Sequence, residues 1–346
     1  MVATPTQEGE GMPPKGRVFS GMRPTGRLHI GNYLGALQNW VALQEEYECI
    51  YCVVDVHALT TMKPPETQHL PTLIREMVLD WLGAGLDPHR SILFVQSHVP
   101  EVMTLHTLLS MVTPLGWLLR VPTFKEKVRQ MAETEESVNY GLVGYPVLMT
   151  ADILLYKADT VPVGEDQLPH LELAREIVRR FNALFGPTFP EPQAKLTEAP
   201  LVLGLDGKQK MSKSLDNHVE IAATPEEVRS RVLRAFTDPE RLRRDQPGRP
   251  WVCNVYTLHG FFNPTRLRTV YEECTTARRG CVECKGELGD AISAFFAPFR
   301  ERRAGWAAQP HRVDEVLREG AHRARAIARA TLAEVRERMG LGHLPE

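Results

Sequence analysis

The period of apolar positions changes several times along the chain. From Arg17, short apolar runs alternate with longer amphipathic stretches. Arg17-Val18-Phe19-Ser20-Gly21 predicts a strand, and Gly31 to Tyr47 predicts a helix. Cys49 to Val56 is an apolar run broken only by Asp55, as expected of a parallel strand buried on both faces. A helix pattern from Leu70 to Gly83 and a strand from Ser91 to Gln96 follow. This alternation predicts an α/β protein with a doubly wound, Rossmann-type parallel sheet and ligands at the carboxyl ends of its strands. Near Lys195 the regime changes to a Gly-rich apolar segment and then to helix-like stretches with Arg-rich connections. The last forty residues, ending in Ala324 to Met339 and Gly340, read as helix with a glycine stop. The pattern therefore divides the chain into a flexible Pro/Gly-rich tail (1–16), the α/β domain (17–200), a lysine-rich loop (201–219) and a helical C-terminal domain (220–346) whose last helix can pack back on the first domain.

Composition narrows this picture only by exclusion. A chain of 346 residues is long enough for two domains with substantial cores. The net charge of −2, from 41 Lys and Arg against 43 Asp and Glu, excludes a uniformly basic coat, so a nucleic-acid partner would have to meet a local patch. No stretch approaches the ~20 apolar residues of a membrane helix, and the N-terminus lacks a basic-then-apolar secretory pattern. The expected location is the cytoplasm, where six cysteines should be thiols or metal ligands rather than disulfides.

Two segments carry phosphate chemistry. Phe19-Ser20-Gly21-Met22-Arg23-Pro24-Thr25-Gly26-Arg27-Leu28-His29-Ile30-Gly31-Asn32 runs from a strand through a Gly/Pro turn into a helix. Glycines let backbone approach a ligand closely, and the helix start offers free N–H groups to phosphate. His29 and Asn32 are spaced to reach the same ligand. In Asp206-Gly207-Lys208-Gln209-Lys210-Met211-Ser212-Lys213-Ser214, three lysines supply compact charge and two serines supply hydroxyl donors. Either segment alone reads as an ordinary turn or a solvated loop.

Together they resemble the paired signatures of class I aminoacyl-tRNA synthetases, with Asn32 in place of the second histidine of the fuller form. Further strings sharpen the resemblance to tryptophanyl-tRNA synthetases: Phe19 to Gly26, Tyr145-Pro146-Val147-Leu148-Met149-Thr150-Ala151-Asp152-Ile153-Leu154-Leu155-Tyr156, and Val161-Pro162-Val163-Gly164-Glu165-Asp166-Gln167. Leu119 departs from the acidic residue the family often has there. The resemblance implies ATP with Mg²⁺ as a substrate complex, held by Arg23, Pro24, Thr25, Gly31, Asn32, Gly164, Glu165, Asp166, Leu201, Val202, Lys210, Met211, Ser212, Lys213 and Ser214. Catalysis falls to His29, Asn32, Lys210 and Lys213. L-tryptophan is implied to meet Phe19, Gly21, His57, Tyr145, Met149, Asp152, Val161, Val163 and Gln167. The partners implied are tRNA(Trp) and a second copy of the chain, with Val102 to Leu119 as candidate interface.

The residues themselves support one of these roles. Tyr145, Met149, Asp152 and Tyr156 stand at i, i+4, i+7 and i+11, on one helix face. A carboxylate on an apolar face is costly unless something donates to it, and the resemblance gives Asp152 the indole N–H. A site built around one hydrogen bond rejects a ligand lacking it by roughly 10⁴ or more. The rival readings are a tyrosine-specific relative, a nucleotidyl transferase or iron–sulfur electron carrier on the same scaffold, and a non-catalytic RNA-binding paralogue.

Cys253, Cys274, Cys281 and Cys284 give C-x20-C-x6-C-x2-C, which reads as a metal site. Zinc and a [4Fe–4S] cluster both accept four thiolates. The resemblance to a bacterial subset of tryptophanyl-tRNA synthetases favours the cluster. Arg241, Arg243, Arg244, Arg249, Arg278 and Arg279 surround these cysteines in sequence and predict a tRNA-facing basic patch. Cys49 and Cys52 form a second C-x2-C, but on a strand they point to opposite faces and are expected to be core.

Overall fold

The computed structural model describes residues 16–121, 138–196 and 201–342. The expected tail, apart from Gly16, lies outside them. Five strands pair in parallel: β1 (Arg17–Met22), β2 (Glu48–Val53), β3 (Ser91–Val95), β4 (Thr160–Val163) and β5 (Gln193–Leu196), in the order β3-β2-β1-β4-β5. The order reverses at β1, so a crevice opens between the carboxyl ends of β1 and β4, as the alternation predicts.

Several boundaries differ from the expectation. The apolar run of β2 stops being strand at Val53. Asp55 turns the chain into the short helix Asp55–Ala58 and accepts the N–H groups of Val56 and Ser97 on Oδ1. The helical run after β1 starts at Ile30, passes through a π-helical stretch Tyr33–Leu37 and ends at Leu43. β5 was not expected, because this four-residue, partly exposed edge strand contains Gln193 and Lys195 and has no apolar run.

Successive residues of β1 to β3 feed two apolar cores, one on each sheet face. Val18, Cys49, Tyr51, Val53, Leu93 and Val95 line the first, which continues into the C-terminal region as far as Leu317. Phe19, Ile50, Cys52, Ile92 and Phe94 line the second. Cys49 and Cys52 thus lie on opposite faces, both fully buried.

The helix expected in the last forty residues runs from Pro310 to Arg338. It lies across the edge of β3, where bare backbone would otherwise invite pairing with another chain. Gly320 permits the crossing, since a Cβ there would stand 1.8 Å from the Leu93 carbonyl oxygen. Arg323 donates to the carbonyl of Pro88 at 2.9 Å, and Arg325 and Arg329 both pair with Glu101. No helix among the described residues is long and apolar enough to cross a membrane.

Candidate active site

Both signatures meet beyond the carboxyl end of β1. His29 caps the helix that follows: its Nδ1 accepts the Asn32 N–H at 3.3 Å, and Asn32 Oδ1 accepts the His29 N–H at 3.1 Å. Accepting at Nδ1 places the imidazole proton on Nε2. Burial, with His218, Lys213 and Lys210 nearby, lowers the His29 pKa to about 4, so the ring is neutral at pH 7. His29 therefore acts as a neutral donor rather than a cation. Gly31 is required by closeness, since a Cβ there would come within 3.0 Å of the His29 ring and 3.3 Å of Met211 Cβ.

The lysine loop is built around Asn217, which the sequence reading missed. Asn217 accepts the Ser212 N–H at 2.7 Å and donates to Asp206 at 2.9 Å. Gly204 gives it room, for a Cβ there would lie 2.2 Å from the Asn217 amide. Asp206 in turn accepts the N–H groups of Lys208 and Gln209. Met211 is buried, and its N–H donates to the Val202 carbonyl at 3.0 Å, while Leu201 is exposed. On leaving the loop the chain pairs with the first signature, Ile30 N–H donating to Val219 O at 2.9 Å and Ile221 N–H to Leu28 O at 3.0 Å. Lys213 Nζ reaches the Thr25 carbonyl at 2.6 Å, which sets its charge over the Gly26 turn. Lys210 is exposed, and Ser212 and Ser214 share a hydrogen bond of 2.8 Å. Arg23 donates to the Ala58 carbonyl at 3.3 Å and to Thr61, and Pro24 is buried.

Asp152 lies on helix Tyr140–Leu155 and is 3% exposed. The structure supplies the donors its burial demands. Gln96 Nε2 donates to both oxygens at 2.8 Å, and His57 Nε2 donates to Oδ2 at 2.9 Å. Gln96 was not among the expected site residues; its signal was a polar side chain at the carboxyl end of an apolar strand. Its Oε1 accepts the N–H groups of Val56 and His57, so the amide is held from both ends. Phe19 stacks on Tyr156 with centroids 5.5 Å apart, and Tyr145 Oη pairs with His170 Nε2 at 2.6 Å. A cavity of about 230 Å³ is lined by Val56, Thr60, His106, Gly144, Tyr145 and Leu148 among others. The electrostatic field of His57 and Asp152 is felt at His106, whose pKa burial lowers.

Past β4, Gly164 turns the chain into the helix Leu168–Phe185, with Pro169 in its first turn. A Cβ on Gly164 would stand 2.7 Å from Asp166 Oδ1. Gln167 donates to Asp166 at 2.8 Å. Met149 and Val163 are half-buried, Val161 is buried, and Gly21 packs so closely on Val54 that a Cβ would stand 2.7 Å from it.

The four C-terminal cysteines sit at three helix ends. Cys253 precedes helix Asn254–Phe262, Cys274 lies near the end of Leu267–Thr275, and Cys281 and Cys284 open Cys281–Phe295. Each is half-buried and free of disulfides. Arg241 Nη1 donates to Cys274 Sγ at 3.6 Å and Cys281 Sγ at 3.9 Å, and His259 lies 3.4 Å from Cys284 Sγ. Burial, with the other thiols as neighbours, pushes Cys284 up to about 12 against the pull of Arg279. Among the described residues, no three His, Cys, Asp or Glu side chains are grouped to hold a metal ion. The basic patch is also smaller than the sequence implied. Arg249 is bound to Asp238 and Glu240, Arg279 is buried against Glu273 and Glu287, and Arg241 turns to the thiols. Arg243, Arg244 and Arg278 remain exposed.

A 3-2-1-4-5 parallel sheet with a capped histidine turn and a lysine loop paired at its switch point defines a class I synthetase. The sequence model of the family "tRNA synthetases class I (W and Y)" matches residues 14–297, and the chain belongs to that family. Within it, the chain is one of the tryptophan–tRNA ligases. It is 46% identical to tryptophan–tRNA ligase of Thermotoga maritima, covering 94% of this chain and 99% of that protein. With the Deinococcus radiodurans enzyme the figures are 47%, 94% and 98%. A crystal structure of tryptophanyl-tRNA synthetase from Campylobacter jejuni complexed with ADP and tryptophan superimposes with a TM-score of 0.84. It is 33% identical and is matched over 94% of this chain and all of that one.

Proposed function

We propose that the chain activates L-tryptophan with ATP at the β1–β4 crevice and transfers it to tRNA(Trp). The observation that carries this reading is the pairing of the two signatures, which sets Lys213 Nζ 2.6 Å from the Thr25 carbonyl, beside the cap made by His29. In the first step the tryptophan carboxylate attacks the α-phosphorus and pyrophosphate leaves. The carboxylate is already ionised at neutral pH, so no enzymic base is needed. Catalysis is then positioning and charge stabilisation. His29 donates from Nε2, Asn32 offers its side-chain NH₂, and Lys210 and Lys213 supply charge. Mg²⁺ rides on the triphosphate. Gly164, Glu165 and Asp166 meet the ribose, and backbone at Leu201 and Val202 meets adenine. In the second step the terminal ribose hydroxyl of tRNA attacks the carbonyl of the adenylate and AMP leaves.

Tryptophan is read by Asp152, oriented by Gln96 and His57, with Phe19, Gly21, Tyr145, Met149, Val161, Val163 and Gln167 forming the remaining contacts. Pyrophosphate exchange measured with each standard amino acid tests the assignment. Exchange with tryptophan alone is expected, and exchange driven by tyrosine would move the chain to the tyrosine-specific branch.

The donor set of Cys253, Cys274, Cys281 and Cys284 suits a [4Fe–4S] cluster. Thiolates are soft ligands, and Arg241, which donates to Cys274 and Cys281, would offset part of the negative charge of a thiolate-bound group. Gly248 leaves that side open, since a Cβ there would stand 2.6 Å from Cys274 Sγ. A bound cluster would supply bracing of three helix ends, not redox catalysis. Anaerobically purified protein should hold about four iron and four sulfide per chain, with broad visible absorbance lost in a Cys281→Ser, Cys284→Ser variant. Stoichiometric zinc without that absorbance would assign the site to zinc.

The C-terminal helices with Arg243, Arg244 and Arg278 are the proposed tRNA anticodon face. A second copy is proposed to cover Met111 and Leu115, 72% and 59% exposed, because Val102, Leu105 and Leu109 of the same stretch are spent in the core. The expected compartment is the cytoplasm.

A further inference from the structure

The turn that carries His29 is held from outside by charges that the reaction scheme above does not use. Asp80, fully buried on helix Leu70–Ala84, accepts the Leu28 N–H on Oδ2. Its Oδ1 accepts from Arg303 Nε at 2.6 Å, and Arg303 belongs to helix Ala297–Ala307 of the C-terminal region. Arg303 also donates to Glu76 at 2.6 Å, and Glu76 accepts from Arg27 Nε at 2.8 Å. Arg27 lies 3.8 Å from Glu220, which pairs with His29 through the backbone. One connected network thus joins the glycine turn, the exit of the lysine loop and a C-terminal helix.

The packing around it leaves no slack. A Cβ on Gly83 would stand 2.9 Å from Arg303 Cβ and 3.0 Å from the Phe299 ring, and Arg302 Nε donates to the Gly83 carbonyl at 2.8 Å. Burial pushes the Asp80 carboxyl up to about 6, against the pull of Arg303 and the Leu28 N–H. A buried ion pair of this kind is a poor source of net stability, but removing one partner strands the other. Its effect is to fix geometry. Lys213 lies within the field of Asp80, Glu76, Glu220 and Arg27 as well.

We infer that Asp80 and Arg303 are positioning residues for the ATP step: they lock the glycine turn and the lysine-loop exit to helix Ala297–Ala307, so that the phosphate contacts form only when that helix is seated. The inference rests on reading the turn as the phosphate site. It places ATP affinity, rather than tryptophan affinity, under the control of a helix in the C-terminal region.

The test compares Arg303→Gln and Asp80→Asn with Arg302→Gln, which loses a contact from the same helix without touching Asp80. KM for ATP and for tryptophan are read in pyrophosphate exchange, and ATP binding alone is read by calorimetry. Arg303→Gln and Asp80→Asn should each weaken ATP roughly tenfold in both measurements. KM for tryptophan should stay within about twofold, and Arg302→Gln should leave the ATP constants near wild type. Unchanged ATP constants in either variant, an equal rise in both KM values, or an equal effect of Arg302→Gln would reduce the network to scaffolding. Thermal unfolding screens the variants, and if one is unfolded the other carries the comparison. If the wild-type protein showed no tryptophan-dependent exchange, the functional reading would fall, while the calorimetry would still decide the positioning role.

Discussion

Replacing Lys213 with alanine is expected to slow tryptophan-dependent ATP–pyrophosphate exchange by roughly 10²–10³-fold. The ammonium is held against the Thr25 carbonyl, over the turn that precedes His29. Burial lowers its pKa, opposed by Glu220 and Asp80, so the charge sits in a partly desolvated place where it acts on phosphate more strongly than in water. His29 is neutral there and cannot replace the lost charge. The half-exposed side chain carries little of the fold, so the melting temperature should barely move. Lys213→Arg should recover only part of the rate, because a planar guanidinium does not present the same point charge. Wild-type exchange by the alanine variant would remove Lys213 from the catalytic set.

Asp152→Ala should lower selectivity for tryptophan over phenylalanine by roughly 10²-fold or more, measured as the ratio of kcat/KM in exchange. The protein keeps this carboxylate satisfied through Gln96 and His57, so it is not a stranded charge waiting for a ligand. In the proposed selection it is an acceptor whose direction is set by two side chains and, behind them, by the peptide N–H groups on Gln96 Oε1. The truncation leaves two buried donors unpaired at roughly 1–3 kcal/mol each, so a stability loss should accompany the lost discrimination. Gln96→Ala separates the two effects. It keeps the carboxylate but frees its orientation, and should cost selectivity with a smaller loss of stability. Unchanged discrimination against phenylalanine and tyrosine in Asp152→Ala would take the indole contact away from this residue.

Much of the molecule was readable locally. The strands β2 and β3 announced themselves as apolar runs because a parallel sheet buries both faces. The three-residue spacing of His29 and Asn32 at a helix start was legible as two side chains for one ligand, and the structure shows in addition that they cap each other. The edge strand β5 did not announce itself, since half its positions face outward and carry polar residues. The closing helix was legible as helix, but not where it packs, which depends on Gly320 meeting Leu93, a contact no periodicity encodes. The arginines near the cysteines looked alike in sequence. Only their neighbours Asp238, Glu273 and Glu287 separate those spent in ion pairs from those left in solvent.

By itself, then, the sequence determined the α/β alternation, the two signatures and the residue types able to handle phosphate, because each is a short-range pattern of propensity, spacing and charge. Tertiary structure decided what those residues are able to do. It brought the lysine loop to the histidine turn through the 218–221 segment, set Gln96 and His57 on Asp152, and tied the turn to a C-terminal helix through Asp80 and Arg303. Those partners lie tens to hundreds of positions apart along the chain, and the physical reason they matter is burial. A charge or a polar group taken out of water must find its partner wherever the fold brings one.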